Sequence, residues 1–417
     1  MSMAGRMRRL AVASGLCLVM LFAFPLVADE GVLVVAPDEP VALGVMTRSS
    51  AEGDDNHVSK LGLLLAQAER PGLSIAGRNV SVELIDGDSG CDADQAAALA
   101  ADHVAQGRVA AIVGPNCSSA CMAVAPLLDE AGYTSITPSC TLPALSEQGF
   151  SSFHRLVAPD TGVMAGAAHY LYEEVGARRV AIVYSESNLF YQGLAGELDQ
   201  RFSGMGGEIV GETLLPTGME QEALDEKLRE IAAAGPDWLF CSCDMAHTLA
   251  VLAGREAAGL GDLPFLGNEL GWANSLIDEL GAGADGLYGV TPLEPDSEAA
   301  TALKERFEAA YGEPPSAPYF LGGYDAWHIL LDAIEAVAEP GDDGGLRIDR
   351  AALLDYVDSL EGYEGASGTI TCQPGGECVS APSGVFVIEG GEINILKRYG
   401  GAYGIDWASA CPQKSCG

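Results

Sequence analysis

The sequence predicts an α/β fold built from two doubly wound parallel sheets, and two observations support this fold class. Short apolar runs alternate with amphipathic segments along most of the chain, as in the buried run 109–113 followed by the helical run 120–131. The same alternation starts again with the run 179–184 and the helical segment 192–202. Strands separated by helices pair in parallel through right-handed crossovers, so each series predicts one sheet covered by helices.

The individual elements follow in order. Strands are predicted at 41–46, 80–85, 109–113 and 133–137 in the first series, and at 179–184, 208–215, 237–241 and 264–267 in the second. Helices are predicted at 61–66, 94–106, 120–131, 192–202, 220–234 and 248–258. Two further helical segments, 297–311 and 324–337, are expected to return to the first lobe. Short crossings near residues 157–159 and 289–292 would form a hinge, because no long flexible linker separates the two series.

The end of the chain changes character after residue 365, where short strands alternate with Gly-rich turns. Residues 370–379 are typical of a hairpin, and we expect Cys372 and Cys378 to close it as a disulfide. Cys411 and Cys416 are expected to close a small terminal loop.

Composition indicates an exported protein. Three arginines precede an apolar run over residues 10–27, and Val27-Ala28 fits a cleavage site, so residues 1–28 are predicted to be a signal peptide. Cys17 does not fit a lipidation site because Leu16 precedes it. The formal charge of −37 repels nucleic acid and anionic lipid. Ten of the 11 cysteines follow the signal, an even number that favours disulfides in an oxidising compartment.

A candidate binding site lies where two neighbouring predicted strands end. Ser118 and Ser119 follow the first strand and begin a helix, and Ser139 and Thr141 follow the second. The first N–H groups of a helix lack partners within the helix and favour an anion such as a carboxylate. Ligands of open α/β sheets bind beyond the carboxyl ends of the strands. Two capped helices without a ligand remain the alternative at this point.

Three segments carry a resemblance to a known family: DSGCD at 88–92, GPNCSS at 114–119 and TPSCTLPALSEQGF at 137–150. They resemble the periplasmic substrate-binding proteins of branched-chain amino-acid ABC importers, over roughly residues 39–398. The resemblance implies a type I periplasmic binding fold, in which two lobes close on a ligand that is handed to a permease. We expect lobe 1 at 39–158 and 292–362, lobe 2 at 159–291 and 363–400, and a tail at 401–417. A Cys91–Cys117 disulfide is also implied.

The resemblance further implies ligand-binding residues. Ser118 and Thr141 would hold the α-carboxylate of an amino acid. Ser139, through its carbonyl, and Thr141 would face the α-ammonium, with Cys140 between them in the same strand end. The acid that pairs with this ammonium falls on Glu269, for which an ordinary surface acid is the alternative.

The second lobe departs from the family pattern in two places. Phe190 and Tyr191 offer an aromatic lid whose register is open. Asp244 stands at a position where relatives carry a tyrosine, and an acid there would favour a positive charge or hydrogen-bond donor on the ligand side chain. The alternative is that Asp244 caps the following helix.

Enzymatic and metal-binding functions fit the sequence less well than the binding of a ligand. A cysteine nucleophile would need Cys243 with His247, or Cys140 with His169, but the even cysteine count allows every thiol to be paired. Cys121 and Cys140 could form one bridge, which leaves Cys241 with Cys243 as a close pair or as free thiols. The histidines are scattered without metal-ligand spacing, and phosphate-loop glycine spacings are absent, so neither an enzyme nor a cofactor is expected.

These observations together predict a monomeric periplasmic receptor for an amino acid or a related amino-carboxylate, with an inner-membrane ABC permease as its partner. Two alternatives stay open. One is a receptor of the same fold for an amide, a polyamine or an aromatic acid. The other is a ligand-sensing subunit for a membrane signalling protein.

Overall fold

The structure is a computed structural model that describes residues 31–48 and 55–400. The predicted signal peptide, Cys17 and the expected Cys411–Cys416 bridge lie outside these residues. Within the described ranges, no helix combines the length and apolar character that crossing a membrane requires.

The strands and helices alternate as the sequence predicts. The strands are β1 (Val32–Val35), β2 (Val41–Thr47), β3 (Gly72–Ile75), β4 (Arg78–Asp88), β5 (Val109–Val113), β6 (Ser135–Thr137), β7 (Phe153–Arg155), β8 (Arg179–Ser185), β9 (Glu208–Leu215), β10 (Trp238–Ser242), β11 (Phe265–Gly267), β12 (Tyr288–Pro292), β13 (Glu339–Pro340), β14 (Leu346–Asp349), β15 (Tyr363–Gly365), β16 (Gly368–Ile370), β17 (Ser383–Glu389) and β18 (Glu392–Tyr399). The α-helices are α1 (Asp55–Glu69), α2 (Ala93–Gln106), α3 (Ser118–Ala131), α4 (Ala144–Glu147), α5 (Asp160–His169), α6 (Leu189–Gly204), α7 (Gln221–Ala234), α8 (Met245–Arg255), α9 (Leu270–Leu280), α10 (Glu298–Tyr311), α11 (Tyr319–Val337) and α12 (Arg350–Asp358). A π-helical turn, Tyr170–Glu174, continues α5, and a 3-10 turn, Gly281–Ala284, follows α9.

The first sheet has six strands in the order β3-β4-β2-β5-β6-β7. All neighbours pair in parallel except β3 with β4. Val45 pairs with Val113 and Val113 with Ile136, so β2, β5 and β6 end at one edge of the sheet. We call this sheet and the helices packed on it the first half.

The second sheet has seven strands in the order β18-β17-β12-β11-β10-β8-β9. Strands β8 to β12 run parallel, while β17 and β18 are antiparallel. Ser242 pairs with Tyr184 and Phe240 with Leu266, which brings the carboxyl ends of β8, β10 and β11 together. We call this sheet and its helices the second half. The two sheets confirm the predicted α/β class.

Helix α11 returns to the first half as expected, where it packs closely against α1. Its fully buried Trp327 joins the apolar core beneath the first sheet. A Cβ atom at Gly323 would collide with the carbonyl oxygen of Ser59, and one at Gly62 with that of Phe320. Glycine at both positions therefore lets the two helices cross at backbone distance.

The segment after α12 is divided between the two cores. The sequence analysis assigned residues 363–400 to the second lobe, but Ile370, Cys378 and Val379 pack in the apolar cluster of the first sheet. Residues 383–399, as β17 and β18, extend the second sheet beyond β12. The chain therefore passes between the sheets a third time near residues 380–382, in addition to the two crossings that the sequence predicts.

Candidate ligand-binding cleft

A cavity of about 720 Å³ is lined by residues from the carboxyl edges of both sheets. The first half contributes, among others, Arg48, Asp92, Asn116, Ser118, Ser139 and Tyr319. The second half contributes, among others, Phe190, Tyr191, Asp244, Asn268, Glu269 and Trp272. Six of the eight residues that the sequence analysis singled out for ligand binding therefore line one cavity.

Ser118 is the first residue of α3 and is 3% exposed. The preceding Cys117 occupies the N-cap position in extended conformation but makes no hydrogen bond from its side chain to the helix. The first N–H groups of α3 are consequently not capped by that side chain. A helix terminus of this kind favours an anionic group, because the peptide dipoles add there.

Ser139 fastens the tips of β5 and β6 together. Its hydroxyl donates a hydrogen bond of 2.8 Å to the backbone carbonyl of Asn116. The Asn116 amide in turn donates to the Ser59 hydroxyl at 2.6 Å. The Ser139 hydroxyl is thus engaged within the protein.

Among the residues that the structure describes, four disulfides are formed: Cys91–Cys117, Cys121–Cys140, Cys241–Cys243 and Cys372–Cys378. Two of these pairings were expected and two were left open by the sequence. Cys140 and Cys243, the two cysteines weighed as nucleophiles, are both disulfide-bonded and carry no thiolate. Cys140 does not line the cavity.

Thr141 lies outside the cavity wall, in contrast to the role that the resemblance implied. The residue is 1% exposed, and its carbonyl accepts a hydrogen bond from the Asp160 backbone N–H at 3.0 Å. The Asp160 carboxyl is fully buried, and this burial raises its pKa to about 7, although the Thr141 hydroxyl and Arg155 act in the opposite direction. Thr141 is therefore buried beside this acid and does not line the cavity.

Phe190 and Tyr191 form the aromatic part of the wall. Asn188 caps α6, so both aromatic residues lie in its first turn, with ring centroids 5.3 Å apart in an edge-on arrangement. Trp272 lines the cavity as well, but it also stacks on Phe265 in the core of the second half. Trp272 therefore belongs both to the cavity wall and to the apolar core of the second half.

Asp244 combines the two roles between which the sequence could not decide. It caps α8 by accepting the His247 backbone N–H at 2.9 Å, and it also lines the cavity. Its carboxylate accepts a further hydrogen bond from the Ser187 hydroxyl at 2.7 Å. Burial works against ionisation, but the hydrogen bonds from the His247 backbone and Ser187 hold the pKa of Asp244 below its ordinary value.

Glu269 precedes α9 at the N-cap position without capping the helix through its side chain. Its carboxylate instead accepts a hydrogen bond of 2.6 Å from the hydroxyl of Tyr319, which begins α11 in the first half. Glu269 is therefore a cleft residue that contacts the opposite half, rather than an ordinary surface acid.

A second polar contact joins the halves at the facing ends of α3 and α6. The Ser119 hydroxyl donates to Asn188 Oδ1 at 3.0 Å and accepts the Leu189 backbone N–H at 2.9 Å. The sequence analysis did not predict this contact or the one between Tyr319 and Glu269. Both depend on how the halves meet. The types of the residues involved give no local sequence signal for such contacts.

The cleft offers no metal centre within the described part of the chain, where no group of three or more His, Cys, Asp or Glu side chains could hold an ion. Its chemistry is that of hydrogen bonds and charges. The arrangement can hold a small polar molecule between a helix terminus on one side and a carboxylate on the other.

Two α/β halves with a polar cleft between their sheet edges define the class of two-lobed solute-binding proteins. The chain belongs to the periplasmic binding protein family, since the model of that family matches residues 60–391. The resemblance and the fold predicted from the sequence are therefore confirmed. This family is one of binding proteins and not an enzyme family.

Three curated relatives support this membership. An amino acid binding protein of Pseudomonas aeruginosa is 32% identical over 155 residues, which is 36% of this chain and 41% of that protein. A leucine-, isoleucine-, valine-, threonine- and alanine-binding protein of the same species is 27% identical over 60% of this chain and 66% of that protein. The Leu/Ile/Val-binding protein of Escherichia coli is 25% identical over 74% of this chain and 83% of that protein. The chain thus spans less than two thirds of the first two.

Solved structures agree on the fold. A leucine-binding protein of Thermotoga maritima is similar with a TM-score of 0.74 and 24% identity, covering 86% of this chain and 98% of that one. A solute-binding protein of R. palustris in complex with benzoate has a TM-score of 0.69 and 19% identity, over 86% and 96%. At these identities the likeness concerns the fold alone.

Proposed function

We propose that this protein is the periplasmic solute-binding component of an ABC importer and that it binds an amino acid or a related amino-carboxylate between its two halves. The observation that carries this proposal is the pair of opposite features in one cavity. Ser118 stands at the start of a helix in the first half, and Glu269 supplies a carboxylate from the second. A zwitterion matches both features, with its carboxylate at the helix start and its ammonium at the acid.

The mechanism is a closure of the two halves on the ligand. The first half comprises residues 39–158 and 292–362, and residues 363–379 move with it. The second half comprises residues 159–291 together with β17 and β18. The Ser119–Asn188 and Tyr319–Glu269 contacts exist only when the halves are close, so they belong to the closed form. A ligand that contacts both sides shifts the population toward that form, which the inner-membrane permease then recognises. We assign residues 1–28 to export into the periplasm, where the protein acts as a monomer.

A thermal-shift screen tests the proposal. The panel contains the common amino acids together with small amides, polyamines and aromatic acids such as benzoate. We expect at least one amino acid to raise the melting temperature of the purified mature protein. Ser118→Ala and Glu269→Gln should each abolish most of that shift, while Glu279→Gln, an exposed acid on the same helix α9, should leave it unchanged.

Retained shifts in both cleft variants would overturn the assignment of the site. Stabilisation by benzoate alone would favour the aromatic-acid alternative, for which one similar structure with a benzoate ligand is the supporting observation. In this chain a simple carboxylate would add a second negative charge to a cavity that Glu269 already lines, and for that reason we prefer the amino acid. Genes for a permease and an ATPase next to this gene would support the importer, whereas a kinase gene would support the sensing alternative.

A further inference from the structure

Asn268 is a cleft residue that no sequence motif singled out. It follows β11 directly and precedes Glu269, and it is one of the residues that line the cavity, while only 3% of the residue is exposed. Its backbone carbonyl accepts the Val290 N–H at 3.2 Å, as part of the link between β11 and β12. Because the sheet already uses this carbonyl, the side-chain amide is the acceptor of Asn268 that a ligand would contact.

The orientation of this amide is fixed by its neighbour. The Nδ2 group donates a hydrogen bond of 2.7 Å to the backbone carbonyl of Cys243. Because a carbonyl can only accept, the amide cannot be turned around without losing this bond. The opposite end, Oδ1, is buried and has no hydrogen-bond partner among the residues that the structure describes. Buried polar atoms are almost always paired in native proteins, so this acceptor calls for a donor.

The ammonium group of an amino acid has three N–H donors. Glu269 and the Ser139 carbonyl are two acceptors for it at the cavity, and Thr141 was expected to be the third. Thr141, however, lies behind the strand tip beside Asp160 and does not line the cavity. The set of acceptors therefore lacks one member.

We propose that Asn268 Oδ1 accepts a hydrogen bond from the α-ammonium group of the bound amino acid and takes the place of Thr141 in this role. The proposal rests on the proposed function, since it requires a ligand with an ammonium group. Asn268 then distinguishes ligands by the number of N–H donors on their nitrogen. It also couples ligand binding to the Cys241–Cys243 bridge, because the same amide holds the Cys243 carbonyl.

The test compares three ligands by isothermal titration calorimetry: L-leucine, N-methyl-L-leucine and 4-methylpentanoate, which offer three, two and no N–H donors. If L-leucine gives no shift in the screen, the same set is built from the amino acid that does. We expect Asn268→Leu to weaken binding of the amino acid about tenfold, or ~1.4 kcal/mol. The ratio of the affinity for the amino acid to the affinity for its N-methyl form should fall toward one.

A second variant keeps the proposal testable if Asn268→Leu does not fold. Asn268→Asp keeps the size of the side chain and places a carboxylate opposite the ammonium. We expect it to increase the preference for the amino acid over 4-methylpentanoate about tenfold. Asn274→Leu makes the same change as Asn268→Leu at a position on α9 that does not line the cavity, and should bind like the parent protein. The melting temperature of each ligand-free variant reports whether it is folded.

The outcomes separate the two proposals. If no amino acid binds the parent protein, the proposed function fails and this contact fails with it. If the amino acid binds with a Glu269-dependent affinity, but both Asn268 variants keep the parent affinity within twofold and the parent ligand preferences, the function stands and the Asn268 contact is overturned.

Discussion

The buried carboxyl of Asp160 should make the stability of the protein depend on pH in a direction opposite to that of an ordinary paired acid. Asp160 is the first residue of α5, and burial raises its pKa from 3.8 to about 7. In the unfolded chain the group titrates near 3.8. The contribution of the protonated, buried carboxyl to stability is fully present below pH 3.8 and is lost as the pH rises through about 7.

The size of this effect follows from the shift. One unit of pKa corresponds to ~1.36 kcal/mol, so a shift from 3.8 to about 7 corresponds to as much as ~4 kcal/mol. Asp160→Asn keeps the shape of the side chain and cannot ionise. The free energy of unfolding of this variant, relative to the parent protein, should therefore increase between pH 4 and pH 8 by up to ~4 kcal/mol.

Urea unfolding at pH 4, 6 and 8 measures this difference, under oxidising conditions that keep the disulfides intact. Asp262→Asn, a change at an exposed acid, serves as the matched control and should give a difference that stays constant with pH. If the Asp160→Asn and parent curves of stability against pH run parallel, Asp160 is ionised throughout this range in the folded state. The reasoning from its burial would then be refuted.

Three further perturbations test other parts of the structure. Ser119→Ala removes two hydrogen bonds between the halves, worth ~1 kcal/mol each. The radius of gyration of the ligand-free variant, measured by small-angle X-ray scattering, should therefore be larger than that of the parent protein. An unchanged radius would exclude a role of Ser119 in closure. Arg155→Met removes the hydrogen bonds of a buried guanidinium to the Glu377 carboxylate and to the carbonyls of Cys140 and Leu142, and should lower the free energy of unfolding by ~3 kcal/mol in urea titrations, whereas a loss below ~1 kcal/mol would contradict this. Replacing Cys372 and Cys378 by serine opens a short loop, and should cost ~2 kcal/mol in thermal unfolding but leave ligand affinity within twofold.

Much of the fold could be predicted from the sequence because its signals are local. An apolar run such as 109–113 can only be a buried strand once polar, Gly-containing segments bound it, and the structure has β5 at Val109–Val113. Element ends were harder to predict. Helix α11 begins at Tyr319 instead of residue 324, because burial of its first turn against α1 and α10 decides where it starts.

The candidate site could be predicted in part, for the same reason. Ser118 and Glu269 each follow a strand that the sequence identifies, and residues at the carboxyl ends of parallel strands share one edge of a sheet. Asp244 lines the cavity for this reason too. The sequence could not show that Thr141 turns toward Asp160, since that contact depends on how α5 packs behind the strand tip.

The sequence by itself therefore determined the order of strands and helices, the two-sheet architecture and the edge of each sheet that lines the cavity. Each of these follows from the spacing of apolar and polar residues over short stretches of chain. Only the tertiary structure decided which side chains reach the cleft: Tyr319 meets Glu269 from 50 residues away, and Asn268 is left with a buried acceptor because the Cys243 carbonyl takes its amide hydrogen. Such contacts depend on the relative position of separate elements, which is set by the packing of the whole core and is not encoded in any local pattern.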